Sequence, residues 1–143
     1  MPRLKLDFPA SPLFTTEIPI RVTDLNYGNH LAHDRLVSIL HEARVRFFRA
    51  FGFEERNTEG RGILLVDLAV TYQREAFYGQ TLRVDMAIGE AATRGCELLY
   101  RVTDAGNDEA VALAKTGIVF IDPATRRVVS IPPAFRALIE KID

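Results

Sequence analysis

Asn26, His30 and Glu42 have the residue types and spacing that suit chemistry on a carbonyl group. Asn26 and His30 share the turn-rich loop Asp24 to His33 (DLNYGNHLAH), and Glu42 follows on a long helical pattern. An asparagine amide N–H can orient a water or polarise a carbonyl; beside Gly28, Asn26 equally suits a turn with left-handed geometry. His30 can bind a carbonyl oxygen or shuttle a proton near neutral pH, and it can also simply hydrogen-bond loop carbonyls. Burial beside Leu40 and Ala43 would make Glu42 a usable base, whereas Arg46, four residues on, offers it an ion pair in the favourable orientation; both can hold together. Tyr27, Gly28, Asn29 and Leu31 lie where the backbone can approach a bound carbonyl closely, although the same glycine is needed for the turn alone. N–H groups at the start of the helix carry partial positive charge and suit a developing oxyanion.

Further candidates lie downstream. Asp67 interrupts an apolar strand and faces either a ligand or solvent. Arg94, Arg126 and Arg127 stand at strand or turn ends, where a guanidinium can reach phosphate; each could equally be a solvated charge. His30, His33 and His41 fall in one region, but His33 and His41 lack the i, i+4 spacing of a helical metal pair, so no metal site is expected.

The elements that must hold these residues can be read from periodicity. Residues 1–13 contain Pro2, Pro9 and Pro12 and read as an irregular arm. Phe14 to Thr23 alternates, with Ile18, Ile20 and Val22 on one face, and reads as a half-buried strand. Asp34 or His33 begins a helix whose Leu36, Ile39, Leu40, Ala43 and Phe47 share one face, widened by Val37, Phe48 and Phe51, with Gly52 as its C-terminal cap. The period then changes to two. Leu64 to Tyr72, Leu82 to Ile88, Cys96 to Thr103 and Ala110 to Asp122 read as four strands of an antiparallel meander, and a short helix starts near Pro132. One strand, one long helix and four strands make an α+β domain over residues 1–143, the sheet wrapping its apolar face around the helix.

Composition narrows the function classes. Lys and Arg total 18 against 19 Asp and Glu, so no basic field points to nucleic acid or an anionic membrane. No apolar run reaches membrane-spanning length, and the N-terminus has no signal-peptide core. The lone cysteine, Cys96, excludes an intramolecular disulfide and zinc held by thiolate pairs, and it suits a reducing, cytoplasmic setting.

The stretch Asp24-Leu25-Asn26-Tyr27-Gly28-Asn29-His30-Leu31, followed by His41-Glu42-Ala43-Arg44, resembles the 4-hydroxybenzoyl-CoA thioesterase branch of the hotdog fold, which carries Asp-x-Asp-x-x-Gly-His-Val before its helix. Val70-Thr71-Tyr72 leading to Phe77-Tyr78-Gly79, and Ala114-Lys115-Thr116-Gly117 to Asp122, resemble strands of the same family. The resemblance covers about residues 14–135. It implies a hotdog fold with about five strands around a central helix. It also implies hydrolysis of an acyl-CoA or acyl-carrier thioester without a cofactor, and a homodimer or homotetramer with paired sheets and a site between subunits. Arg94, Arg126 and Arg127 would then meet the CoA phosphates, and Tyr27 to Leu31 with Asp67 the acyl part. Two positions depart from the pattern: the usual catalytic aspartate falls on Asn26 and the glycine before His falls on Asn29. Some related thioesterases pair a loop asparagine with an acid on the next helix, which here would be Glu42. A dehydratase acting on 3-hydroxyacyl thioesters and a non-catalytic acyl-CoA binder remain as alternatives.

Overall fold

The computed structural model describes residues 2–140. Strand β1 is Phe14–Pro19, a 3-10 turn covers Val22–Asp24, and helix α1 spans His33–Ala50. Strands β2 (Gly62–Tyr72), β3 (Thr81–Ala91), β4 (Gly95–Asp104) and β5 (Ala110–Ile121) follow, then the two-residue β6 (Val128–Val129) and helix α2 (Pro133–Glu140). The sheet is antiparallel in the order β1-β3-β4-β5-β2, with β6 paired to the end of β5.

Two expectations are corrected. The first strand stops at Pro19 rather than running on to Thr23, because the chain turns into the 3-10 segment; Ile20 stays buried beyond the strand end. The meander holds only from β3 to β5. Strand β2 pairs with β5, not with β3, and so forms the edge opposite β1. Period-two patterning reports which face a residue occupies and is blind to strand order. The connection from β2 to β3, residues 73–80, must therefore pass across β5 and β4.

The apolar stripe of α1 explains the core. Leu36, Ile39, Leu40, Ala43, Phe47 and Phe48 are buried against Leu82, Val84 and Met86 of β3, Leu98, Tyr100 and Val102 of β4, and Ala112, Ala114, Ile118 and Phe120 of β5. Each fully buried large side chain contributes roughly 1.5–3 kcal/mol. The phenylalanines form a chain of ring contacts: Phe47 meets Phe14, Phe48 and Phe51 edge-on, and Phe135 of α2 closes the end, stacked on Phe48, tilted against Phe53 and edge-on to Phe120. The arm before β1 has no regular structure, as expected, but it is tied down. The Arg3 guanidinium donates to the Tyr72 carbonyl at 3.0 Å, and Arg101 sits 4.6 Å over the Phe8 ring while pairing with the buried Asp85.

Gly95 opens β4 against the backbone of β5. A Cβ there would collide with the Ile118 carbonyl oxygen, which belongs to the ladder and cannot swing aside. Gly95→Ala should therefore cost about 3 kcal/mol, read as a lowered midpoint in urea unfolding with an unchanged slope. An unchanged midpoint would show that β4 shifts freely at this point.

Candidate active site

The loop before α1 is closed by its own backbone. Leu25 and Leu31 form an antiparallel bridge, Asn26 N–H donates to the His30 carbonyl at 2.8 Å, and Asn29 takes the left-handed conformation, φ 63°. Asn26 ties the turn together. Its Oδ1 accepts from the N–H of Gly28 at 3.0 Å and of His30 at 3.3 Å. Because both partners are donors, they fix the amide orientation and leave Nδ2 directed to the other side. The Asx turn and the carbonyl-orienting role were alternatives for Asn26 in the sequence; the geometry lets one side chain serve both.

Nδ2 of Asn26 lies 3.4 Å from His30 Nδ1, which is also 3.3 Å from the Leu31 carbonyl. One neighbour is a donor and the other an acceptor, so Nδ1 has a partner with or without its proton. The opposite ring nitrogen, Nε2, faces Glu75 Oε1 at 3.8 Å, and Phe77 meets the ring edge-on. Gly28 backs this arrangement: a Cβ there would stand 3.3 Å from His30 Nε2.

The loop is pinned to the sheet crossing. Leu31 N–H donates to the Ala76 carbonyl at 2.8 Å, and Ala32 N–H to Asp24 at 2.9 Å. Between loop and crossing lies a cleft of about 380 Å³, lined chiefly by Asn26, His30, His33, Tyr72, Arg74 and Glu75, with Leu31, Leu36 and Val111 as its apolar wall. Helix α1 begins at this cleft. Its N-cap is Ala32, which has no side-chain oxygen to occupy the first-turn N–H groups. His33, the first residue of α1, lines the cleft, so the positive end of the helix dipole meets it without a competing side-chain cap. Tyr72 fixes the wall by donating its hydroxyl to the His33 carbonyl at 2.9 Å.

Of the residues singled out in the sequence, the cleft brings together Asn26, His30 and Leu31. Tyr27 is fully exposed at the turn tip, Asn29 shapes the turn, and Gly28 stands behind the imidazole. Glu42 does not line the cleft. It belongs to a separate groove with Ile18, Arg21, Asp24 and Arg46, where Arg46 Nε donates to it at 2.8 Å and also holds Thr16 and the Glu17 carbonyl. The ion pair, one of the two readings of Glu42, is thus the arrangement present. Asp67 sits at a bulge in β2, and its Oδ1 accepts from Gly117 N–H at 2.9 Å; that is a fold-holding bond away from the cleft. Arg94, Arg126 and Arg127 lie near the end of the sheet where Gly62 of β2 pairs with Ile121 of β5, whereas Tyr72 and Val111 mark the cleft end. Sequence reasoning missed Tyr72, Arg74 and Glu75. The only available signal was the polar run Gln73-Arg74-Glu75 between two strands, which reads as an ordinary solvated turn.

Cys96 is not a competing nucleophile. Burial pushes its thiol up to about 12, so it stays protonated at neutral and mildly alkaline pH. A disulfide reagent added to the native protein should release almost no chromophore, and about one equivalent after denaturation. Rapid native reaction would show that this part of the core opens readily. Among the described residues no cluster of three or more His, Cys, Asp or Glu is placed to hold a metal ion, and no helix is long and apolar enough to cross a membrane.

Residues 20–139 match the family model of the Thioesterase-like superfamily. No curated protein matches the sequence. Among solved structures, the chain is similar to a 1,4-dihydroxy-2-naphthoyl-CoA thioesterase from Synechocystis, with 20% identity, TM-score 0.82, and coverage of 91% of this chain and 97% of the other. A Staphylococcus aureus protein solved in complex with CoA gives 19% identity and TM-score 0.82, covering 95% and 87%. A thioesterase superfamily structure from a Jannaschia species gives 15% identity and TM-score 0.86, covering 96% and 97%.

Proposed function

The chain belongs to the Thioesterase-like superfamily and has the hotdog fold, and from that premise we propose that it hydrolyses an acyl-CoA or acyl-carrier thioester to free acid and thiol. The observation that carries the proposal is the convergence of three groups on one cleft: the free amide N–H of Asn26, the imidazole of His30 and the uncapped start of α1. Asn26 Nδ2 and the helix N–H groups hold the carbonyl oxygen and stabilise the negative charge that grows on it. His30, with Nδ1–H donating to Leu31, uses the Nε2 lone pair to take a proton from water as the water oxygen adds to the carbonyl carbon. The carbon–sulfur bond then breaks, and the proton held at Nε2 passes to the leaving thiolate. A thiolate leaves readily, so one base and a few oriented donors suffice.

The CoA-bound Staphylococcus aureus relative supports CoA as the carrier. The active form in this proposal is a homodimer, or a homotetramer built from it, joined along the free edge of β2, in a cytoplasmic setting. Arg94, Arg126 and Arg127 then meet CoA phosphates from the partner subunit, because in their own subunit they lie at the far end of the sheet.

The test is a panel of aliphatic and aromatic acyl-CoA substrates assayed for free thiol. Turnover with at least one of them is expected. Formation of a conjugated double bond without thiol release would replace hydrolysis by dehydration. Tight CoA binding with no turnover would make the protein a binder.

A further inference from the structure

Glu75 is the only carboxylate among the residues lining the cleft, and its Oε1 faces the ring nitrogen that the proposed hydrolysis requires. It comes from the crossing segment between β2 and β3, which is anchored on both sides: Leu31 N–H donates to the Ala76 carbonyl, and Phe77 N–H donates to Gln80 Oε1. Ala76 is buried, so the backbone next to Glu75 is fixed although the carboxylate itself is 65% exposed. The other polar groups around the imidazole leave this role open. Asn26 is neutral, Tyr72 spends its hydroxyl on the His33 carbonyl, and Arg74 turns to Glu109 at 3.3 Å. His33 lines the same cleft at the start of α1, and Val111 of β5 adds no charge.

We propose that Glu75 is the positioning residue for His30: a lone pair on Nε2 makes no bond to the carboxylate, and once Nε2 has taken a proton from water the Glu75 carboxylate accepts from that N–H and holds the imidazolium at the cleft. This rests on the hydrolase reading and replaces Glu42 with Glu75 as the carboxylate that serves the site.

The test compares the intact protein with Glu75→Gln and Glu75→Asp. Imidazole carbon–proton NMR signals are recorded at one fixed pH, and His30→Gln identifies the His30 signal. This measurement uses no substrate, so it stands whether or not thioesters are hydrolysed. The expected result is a His30 signal displaced in Glu75→Gln and close to wild type in Glu75→Asp. If hydrolysis is found, kcat should fall roughly tenfold in Glu75→Gln with KM nearly unchanged, and Glu75→Asp should recover most of the loss. A His30 signal and a kcat that both stay at wild type in Glu75→Gln would overturn the proposal while leaving the hydrolase reading intact. Loss of turnover in every protein, with the NMR shift present, would confirm the pairing and reject the hydrolysis.

Discussion

Asn26→Asp should lower thioester hydrolysis about a hundredfold or more while leaving the fold as stable as wild type. The substitution preserves what the loop needs. The Oδ1 that accepts from Gly28 and His30 N–H groups has a counterpart in the carboxylate, so the turn persists. What it removes is the Nδ2 donor, and it adds a negative charge where the carbonyl oxygen becomes negative. Asn26→Ala tests the other half. It removes the donor and the turn acceptor together, so it should lose a similar factor in rate and also about 1 kcal/mol of stability through the unsatisfied loop amides. The contrast between the variants separates chemistry from architecture: the rate falls in both, the melting temperature in only one. Thiol release on one substrate panel and thermal unfolding measure the two quantities. An inert wild type beside an active Asn26→Asp would reverse the reading, making this a chain that has lost a catalytic aspartate and binds its thioester without cleaving it.

The different legibility of the fold and the site has a physical basis. The long helix was readable because Leu36, Ile39, Leu40, Ala43 and Phe47 repeat at helical spacing and all five are buried in the core. The strands were readable because Leu82, Val84 and Met86, or Leu98, Tyr100 and Val102, alternate with residues of the opposite face. Strand order carries no such local signal, and the site depends on it. Glu75 reaches His30 only because β2 joins the far edge of the sheet and residues 73–80 must cross back beneath the loop. Asn26 and His30 were found because four residues of one turn suffice to bring them together. Glu42 is the acid on the next helix that the family resemblance implies, but side-chain direction on a helix turns about 100° per residue. That rotation carries Glu42 to Arg46 and β1 instead of the cleft. The bulge at Leu65 and Asp67 was equally hidden, since an extra residue breaks alternation without changing composition.

Light scattering of the wild-type protein at micromolar concentration should give at least twice the monomer mass, and Leu65→Lys with Leu68→Lys should give a folded monomer. Strand β2 is the reason. It is eleven residues long, it pairs only with β5 among the described strands, and Leu65, Val66 and Leu68 are 48%, 60% and 45% exposed. A long apolar edge with unpaired N–H and C=O groups is a template for another strand, and a second copy related by a two-fold axis supplies one in antiparallel register. Because the two leucines lie outside the monomer core, lysines there add like-charge repulsion to the joint without opening a cavity. The same geometry links assembly to substrate. Gly62 and Tyr72 stand at opposite ends of β2, ten residues and about 33 Å apart. Arg126 and Arg127, just beyond Ile121, are therefore remote from the cleft of their own subunit. In the proposed dimer an antiparallel joint would bring the partner's Gly62 end alongside Tyr72 and its arginines toward the cleft. The monomeric double variant should then bind CoA at least tenfold more weakly than wild type, with a flatter dependence on salt, because phosphate contacts are screened by ions and their loss removes that sensitivity. A wild type that scatters as a monomer, or a monomeric variant with undiminished CoA affinity, would place the phosphate site within one subunit and reject the joint along β2 as part of the binding surface.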